Sequence, residues 1–201
     1  MQKINYQLKL DEILNRLGSA KPKLMLHSCC APCSSYVLEY LSKFFLITVL
    51  YYNPNISPAE EYEHRKAEQI RLIKDGEWTN PIAFLDCDWD SQSFDAIAKG
   101  LENAPEGGAR CFKCYELRLR AAAQAASLHG CDFFTTTLTI SPLKCAQAIN
   151  EIGFKLENEY GIKYLPSDFK KRNGYKRSIE LSAKYGLYRQ NYCGCVYSKH
   201  S

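Results

Sequence analysis

The chain has 201 residues, of which 46% are hydrophobic and 24% are charged. This is ordinary globular usage, and no apolar run approaches the ~20 residues of a membrane-spanning helix, which excludes a transmembrane segment. The formal net charge of +4 is too small to establish nucleic-acid binding by itself.

The chain begins with MQKINYQLKLDEILNRLG, a charged, amphipathic stretch with the character of a helix. It has neither an apolar signal-peptide core nor a cleavage site of small residues. We therefore expect a cytoplasmic protein whose thiols are reduced.

Short apolar runs then alternate with longer amphipathic ones. The predicted strands are residues 23–28, 47–52, 81–86, 132–138 and 163–165. The predicted helices are residues 34–44, 57–74, 115–128, 147–160 and 176–185, with a further helical tract broken near residues 105–108. Ser34 or Ser35 is the expected N-cap of the first of these helices, and Ser57 that of the second, with Pro58 at its first position.

Strands separated by helices predict βαβ units. We expect a single α/β domain over residues 1–201, with a mostly parallel sheet, helices on both faces and a cysteine-bearing C-terminal tail. The sequence shows neither an internal repeat nor a low-complexity segment.

Seven of the ten cysteines lie in three tight clusters. They are Cys29-Cys30-Ala-Pro-Cys33, Cys111-Phe-Lys-Cys114 and Cys193-Gly-Cys195. One structural zinc or one cubane iron–sulfur cluster takes four ligands, which leaves about three thiols to explain. The surplus predicts a cluster with a second metal beside it, or a cluster with redox-active thiols.

The cysteines have two simpler explanations. Disulfides are disfavoured because a reducing compartment opposes them and adjacent cysteines bridge poorly. Cys131 and Cys145 are isolated in apolar or helical surroundings, so we expect both to be small buried hydrophobic residues.

The predicted topology places the first cysteine cluster at a functional edge of the sheet. Ligands of open α/β sheets bind beyond the carboxyl ends of the strands, where the strand order reverses. Cys29, Cys30 and Cys33 follow the first predicted strand, and residues 86–88 and 135–142 follow the third and fourth. We expect these loops to form a cleft, with Cys111 and Cys114 at a helix start and the Cys193/Cys195 tail closing over it.

The sequence gives weaker evidence of a functional role for other polar residues. Asp88 and Asp168 are candidate proton donors or substrate contacts, although an acid after a strand is commonly a turn residue. His27 is expected to support a ligand rather than to be one. We expect Tyr51 and Tyr52 to pack, and His64 and His200 to be solvated.

Five motifs in order resemble the QueH family of epoxyqueuosine reductases. They are His27-Ser-Cys-Cys-Ala-Pro-Cys33, Tyr51-Tyr-Asn-Pro-Asn55, Arg110-Cys-Phe-Lys-Cys114-Tyr-Glu-Leu-Arg118-Leu, Phe134-Thr-Thr-Thr-Leu-Thr-Ile-Ser-Pro-Leu-Lys144 and Tyr192-Cys-Gly-Cys195. Each motif alone is modest evidence for the resemblance. The ordered set of five is specific to the family and spans almost the whole chain.

The resemblance implies reduction of epoxyqueuosine to queuosine in the anticodon loop of tRNA, the last step in making that base. It implies a [4Fe-4S] cluster and an adjacent mononuclear iron, no cobalamin, and an unidentified electron donor. It also implies a Rossmann-like fold of the HUP type, distantly similar to PP-loop enzymes that use ATP. The loop Ser-Cys-Cys-Ala-Pro-Cys lacks their glycine- and serine-rich phosphate loop, which argues against ATP pyrophosphatase activity.

The resemblance specifies the set of cysteines better than their division between the two metal sites. We assign Cys30, Cys111, Cys114 and Cys193 to the cluster, and Cys29, Cys33 and Cys195 to the second iron. Cys29, Cys33 and Asp88 are the catalytic candidates. An adjacent iron with an open position can act as a Lewis acid on an epoxide oxygen.

Positive charge is densest at Lys170, Lys171, Arg172, Lys176 and Arg177. Charge runs are usually solvated faces, but an anticodon loop needs phosphate contacts. We predict that Lys170, Lys171 and Arg172 contact tRNA. Arg110, Arg118 and Arg120 flank the second cysteine pair and are candidates for tuning the cluster's reduction potential.

Two alternative functions stay open. One is a zinc-stabilised α/β binding module. The other is a thiol–disulfide oxidoreductase, because Cys30-Ala-Pro-Cys33 between a strand and a helix is similar to a thioredoxin motif.

Overall fold

The computed structural model describes residues 4–199 and contains a five-stranded parallel sheet. Its strands are β1 (Lys23–His27), β2 (Leu46–Leu50), β3 (Ile82–Leu85), β4 (Phe133–Thr136) and β5 (Lys163–Tyr164). The order across the sheet is β3-β2-β1-β4-β5. Since β2 and β3 extend to one side of β1, and β4 and β5 to the other, the strand order reverses between β1 and β4.

Within residues 4–199, seven helices surround the sheet. They are α1 (Tyr6–Leu17), α2 (Ala31–Leu41), α3 (Ala59–Asp75), α4 (Ser91–Ala98), α5 (Ala109–Leu128), α6 (Ala146–Tyr160) and α7 (Gly174–Lys184), with short 3₁₀ turns at Thr137–Ile140 and Val196–Ser198. None of those within residues 4–199 is long and apolar enough to span a bilayer.

The central strand β1 is apolar along most of its length, as a strand buried on both faces must be. Leu24 and Leu26 pack on one face with residues of α2, such as Leu38. Met25 points to the other face and packs with α5 and α6, through residues such as Leu119. The expected α/β fold with helices on both faces is therefore confirmed.

The start of α2 differs from the sequence prediction. The helix begins at Ala31, with Cys30 as its N-cap and Pro32 in its first turn, where a proline's missing N–H costs nothing. Ser34 and Ser35 are not caps, because their hydroxyls donate to the carbonyls of Ala31 (3.1 Å) and Pro32 (2.9 Å). Cys33 therefore lies inside the first helical turn.

The start of α3 also differs from the sequence prediction, by one residue. Pro58 is the N-cap and Ala59 the first helical residue, so Ser57 is not the cap. The backbone N–H of Ser57 instead donates to the carbonyl of Gly194 at 3.0 Å. This bond ties the helix start to the C-terminal tail, which we define as residues 185–199.

The isolated cysteines behave differently from each other. Cys131 is buried, as expected, but Cys145 is exposed. The prediction for Cys145 was wrong because this residue is the N-cap of α6, outside the apolar face of that helix. All ten cysteines are free thiols.

Candidate metal and substrate site

Two adjoining cavities lie at the carboxyl ends of β1 and β4. The first, which we call the inner cavity, is lined by Cys111, Cys114, Cys193 and Cys195. The second, the outer cavity, is lined by Cys29, Cys30, Cys33 and Cys193. Five residues border both: Glu106, Arg118, Lys144, Cys193 and Ser198. The structure thus brings all seven clustered cysteines together, and Cys193 joins the two groups.

The outer cysteines form a compact triad. The sulfur atoms of Cys29, Cys30 and Cys33 all lie within 4.8 Å of one another, and those of Cys29 and Cys30 are 4.0 Å apart. Cys30 caps α2 and Cys33 lies in its first turn. The partial positive charge of the helix N-terminus favours one negative charge within this triad.

Within the triad, negative charge is concentrated on Cys29. Hydrogen bonds from Cys30 and Cys33, and then the cations Lys144 and Arg118, hold the pKa of the Cys29 thiol well below its usual range. The hydrogen bond to Cys29 raises the pKa of Cys30 to about 12. The Thr137 hydroxyl, just after β4, also donates to the Cys29 sulfur at 3.3 Å.

The inner pair sits at the start of α5. Cys111 and Cys114 are three residues apart, so both project from one side of the helix. The backbone N–H of Gly107 donates to the Cys111 sulfur at 3.2 Å. Burial raises the pKa of Cys114 to about 11, so a bound metal would have to stabilise its thiolate.

The tail brings the last two thiols against this pair. Gly194 has a φ of +116°, and a Cβ atom there would lie 2.9 Å from Cγ1 of Ile56 and 3.0 Å from Nη1 of Arg65. Nη1 of Arg65 also donates to the carbonyl of Cys193 at 3.4 Å. Only glycine can make this turn so close to α3.

Arg65 is the anchor on which the tail rests. It is buried and pairs with Glu61 at 2.7 Å. Its guanidinium lies over the ring of Tyr192, 4.9 Å from the centroid. The Tyr192 hydroxyl donates to the carbonyl of Ser57 at 3.4 Å, so the residue before Cys193 is held from two sides.

Two cations border both cavities. Arg118 is 1% exposed, and neither Arg118 nor Lys144 forms an ion pair with a carboxylate within residues 4–199. Arg118 Nη1 lies 3.7 Å from the Cys114 sulfur. A buried cation needs a counter-charge, and the thiolate of Cys29, whose pKa both cations help to lower, supplies it.

His27 holds Arg118 in place. The Nε–H of Arg118 donates to Nε2 of His27 at 3.3 Å, and Nδ1 of His27 is 2.8 Å from the Thr136 hydroxyl. Burial, and then the charge of Arg118, lower the pKa of His27 to about 3. The ring is therefore neutral. Its Nε2 also lies 3.1 Å from the carbonyl oxygen of Tyr52, so Nε2 accepts from Arg118 in the tautomer that carries its proton on Nδ1.

Arg110 leaves a hydrogen-bond donor unused at the inner cavity. Its Nη1 donates to the carbonyls of Leu101 and Glu102, both at 2.9 Å, and its guanidinium lies 4.2 Å from the ring of Tyr197. The Nε atom is buried without a partner in the described residues. An unpaired N–H beside four thiols fits a sulfur-rich group, because such donors commonly bond the sulfur atoms of clusters.

Asp88, the predicted proton donor, is exposed and lines neither cavity. Glu106 is the carboxylate that borders both cavities, and sequence reasoning missed it. Asp168 pairs with Lys170 at 2.5 Å. Tyr51 is fully buried and packs 5.5 Å from the ring of Tyr62, as expected.

The predicted tRNA contacts lie outside both cavity linings. Lys170 pairs with Asp168, Arg172 pairs with Asp11, and Lys171 donates to Asn5 at 3.2 Å. His64 is exposed beside Tyr188, as expected, and His200 lies outside the described residues.

Sequence reasoning also missed the roles of Lys144 and of the tail residues Arg189–Asn191 in lining the outer cavity. Lys144 ends the motif after the fourth strand, and its position in that motif was the available signal. Nothing in the sequence indicated that Arg189–Asn191 line the cavity, apart from their position just before the last two cysteines.

The chain is similar to known proteins over nearly its full length. The model of a family described as "Epoxyqueuosine reductase QueH" matches residues 24–201. An epoxyqueuosine reductase QueH of Staphylococcus epidermidis is 44% identical over 98% of this chain and 85% of its own length. One of Streptococcus pyogenes is 45% identical over 98% of this chain and 79% of its own length. One of Thermotoga maritima is 34% identical over 87% of this chain and 89% of its own length. With the family model and these relatives matching nearly its full length, the chain belongs to the QueH family of epoxyqueuosine reductases.

Proposed function

We propose that this chain reduces epoxyqueuosine to queuosine in the anticodon loop of tRNA, the last step of queuosine biosynthesis. The reaction takes place in the cytoplasm without cobalamin, and an unidentified donor supplies electrons. It uses a [4Fe-4S] cluster and an adjacent iron. Removing the epoxide oxygen as water consumes two electrons and two protons, and leaves a carbon–carbon double bond.

The observation that carries this proposal is the convergence of seven thiols on two cavities that share one wall. The inner cavity alone offers the four thiols that a cubane needs. The outer triad then remains for a second metal, with its sulfur atoms within 4.8 Å of one another. A zinc-stabilised binding module would leave the triad and the paired cavities without a role.

This grouping supports a modified division of the cysteines. We propose that Cys111, Cys114, Cys193 and Cys195 hold the cluster, and that Cys29, Cys30 and Cys33 hold the adjacent iron. Relative to the assignment from the sequence, Cys30 and Cys195 change places. When bound, the two groups supply single electrons and a Lewis acid for the epoxide oxygen.

The protein's own residues have three tasks around that chemistry. Arg118 and Lys144 offset the negative charge of the thiolates between the two cavities. Glu106 is placed where it can pass protons from solvent, a role for which we propose it ahead of Asp88. His27 fixes the orientation of Arg118 through the 3.3 Å hydrogen bond.

Contact of Lys170, Lys171 and Arg172 with tRNA stays a prediction. Phosphates would have to compete with Asp168 and Asp11 for two of these three charges. Such contacts would position the RNA backbone without reading the modified base.

The direct test is an anaerobic assay on tRNA from a strain that accumulates epoxyqueuosine. The full chain, reconstituted with iron and sulfide and supplied with a low-potential reductant, should convert that base to queuosine without added cobalamin. A protein of full iron content that leaves epoxyqueuosine unchanged under these conditions contradicts the proposal.

Iron content tests the second metal independently of turnover. After anaerobic reconstitution we expect more than four irons per chain, because one cubane holds only four. Replacing Cys29 and Cys33 by alanine together should bring the content down to about four and keep the cluster's visible absorbance. Four or fewer irons in the wild-type protein would remove the second iron from the proposal.

Arg118 should set the reduction potential of the cluster. Replacing Arg118 by methionine removes a buried positive charge, which disfavours the reduced and more negative state. Two charges ~7 Å apart at an effective dielectric near 20 interact by ~2 kcal/mol, so we expect the potential to fall by on the order of 100 mV. Arg120→Met is the matched control, because Arg120 is on the same helix but pairs with Glu116 at 3.1 Å. Equal potentials in the two variants, measured by anaerobic redox titration, would contradict this role.

The thiol–disulfide alternative has one favourable observation, the depressed pKa of Cys29 beside Cys30 and Cys33. It does not use Cys111, Cys114, Cys193 or Cys195. Turnover of a dithiol substrate by metal-free protein would favour it over the metal-dependent reductase.

A further inference from the structure

We propose that the outer cavity receives the modified base after it has been extruded from its RNA loop. The base would enter between the Ile140–Lys144 loop and the tail segment Arg189–Tyr192. This inference rests on the proposed function and adds to it the place and manner of substrate binding.

The cavity is large enough to admit a base. Its volume is about 470 Å³, and Cys29, Cys30 and Cys33 line it. A base that stays stacked in an RNA loop cannot bring its reactive substituent to such recessed thiols. Proteins that act on a base commonly take it out of the stack for this reason.

Two large side chains are exposed where the cavity opens. Leu143 is 75% exposed and Tyr175 is 38% exposed, and both line the cavity. Folding of the domain gains little from a side chain as exposed as that of Leu143. An aromatic ring and a branched aliphatic group at the mouth of a pocket suit the two faces of a flat base.

Tyr175 is held firmly in this position. It is the second residue of α7, and a Cβ atom on the preceding Gly174 would lie 1.9 Å from the carbonyl oxygen of Phe169. The Ser178 hydroxyl donates to the carbonyl of Tyr175 at 2.7 Å. The backbone that carries the ring is therefore closely packed, so stacking on the ring costs little ordering.

The lining of the outer cavity includes a side-chain hydrogen-bond acceptor that has no partner in the described residues. Oε1 of Gln190 is buried and has no hydrogen-bond partner in the described residues, and Gln190 lines the cavity. An orphaned buried acceptor costs free energy unless a ligand satisfies it. The N–H groups on the edge of a purine-like base are suitable donors.

The charge of the rim favours a base within RNA over a free nucleoside. Arg189 is exposed, and its Nη1 donates to the Ser182 hydroxyl at 3.1 Å. In the described part of the chain it has no carboxylate partner, in contrast to Lys170, Arg172 and Arg177. Phosphates on either side of an extruded nucleotide lie at the rim of its pocket, where an unpaired arginine can contact them.

The test measures RNA binding by the iron-reconstituted full chain under anaerobic conditions. The probes are a labelled anticodon stem–loop that carries epoxyqueuosine and an identical stem–loop with no base at that position. Tyr175→Ala should weaken binding of the first about tenfold and of the second less than about twofold, because only the first offers a base to stack. Tyr175→Phe should keep wild-type affinity for both.

Tyr188 provides the matched control, since it is also 38% exposed but does not line the cavity. Tyr188→Ala should leave both affinities within about twofold of the wild type. Arg189→Ala should weaken both stem–loops equally and flatten the salt dependence by roughly one unit of slope. Equal effects of Tyr175→Ala and Tyr188→Ala, or an unchanged salt slope in Arg189→Ala, would overturn the inference.

Two further measurements separate the ways in which the inference can fail. Free epoxyqueuosine nucleoside should compete roughly a hundredfold more weakly than the stem–loop, because it lacks the phosphate contacts. Equal competition would mean that the cavity binds a small molecule and would overturn the assignment to RNA. If the wild-type enzyme does not convert the modified stem–loop, the proposed function fails and this inference fails with it. If conversion occurs while Tyr175→Ala binds normally, the cavity assignment alone is wrong.

Discussion

Replacing Cys111 or Cys114 by alanine is expected to remove the bound cluster and abolish epoxyqueuosine reduction. Both thiols project from the start of α5 into the inner cavity, and a cubane that loses one of four thiolates is exposed to water and oxygen. Turnover should fall below detection, and the broad visible absorbance of the reconstituted protein should be lost. Anaerobic absorbance spectra, iron analysis and the tRNA assay measure these effects.

Cys131 and Cys145 supply the controls for that prediction. Cys131 is buried against α5 and α6 residues, so Cys131→Ala should cost at most a few kcal/mol of stability by creating a small cavity. Cys145 is exposed, so Cys145→Ala should change the stability by less than about 0.5 kcal/mol. Both should keep the full iron content. Loss of iron from either control would contradict our identification of the ligand set.

The gathering of the seven cysteines was predictable because it depends on order along the chain. In a parallel sheet every strand ends at the same edge, so a cysteine loop directly after β1 must lie at the ligand-binding edge. The spacing of Cys111 and Cys114 follows from helix geometry alone. Neither inference needs to know which strands are neighbours.

The distance of Asp88 from the two cavities depends on information that the sequence does not contain. Asp88 follows β3, which lies at the edge of the sheet with β2 between it and β1. Neighbouring strands are ~4.8 Å apart, so the end of β3 is about 10 Å from the end of β1. Periodicity predicts that a strand exists, but strand order depends on packing across the whole domain.

The basic run at residues 170–172 shows a similar limit of prediction from the sequence. Arg172 and Asp11 form an ion pair although they are 161 residues apart in sequence. A count of charges along the chain therefore overestimates the free charge of residues 170–172. Conversely, Lys144 and Arg189 are isolated in the sequence, yet each lines the outer cavity and lacks a carboxylate partner in the described residues.

Gly194→Ala should have an effect nearly as large as loss of a cysteine, although every thiol is retained. The added methyl group would meet Cγ1 of Ile56 at 2.9 Å and Nη1 of Arg65 at 3.0 Å, and the φ of +116° is itself strained for alanine. Such a conformation costs on the order of 1–3 kcal/mol, and the carbonyl of Gly194 would also shift from its bond with Ser57. Because Arg65 is buried and paired with Glu61, we expect the tail to relieve the strain by moving away from α3.

That movement would displace Cys193 and Cys195 from the inner cavity. We expect iron content after reconstitution to fall to less than about half of the wild-type value and reductase activity to fall at least in proportion. Gly18→Ala is the matched control, because Gly18 has a φ of +57° with no atom within 4 Å of the added Cβ. It should lower the melting temperature through its positive φ and keep the full iron content. If Gly194→Ala also keeps its iron, the tail is not positioned by this contact, and Arg65 is then not its anchor. If instead it loses iron while Gly18→Ala does not, the close approach of the tail to α3 determines where the last two thiols bind.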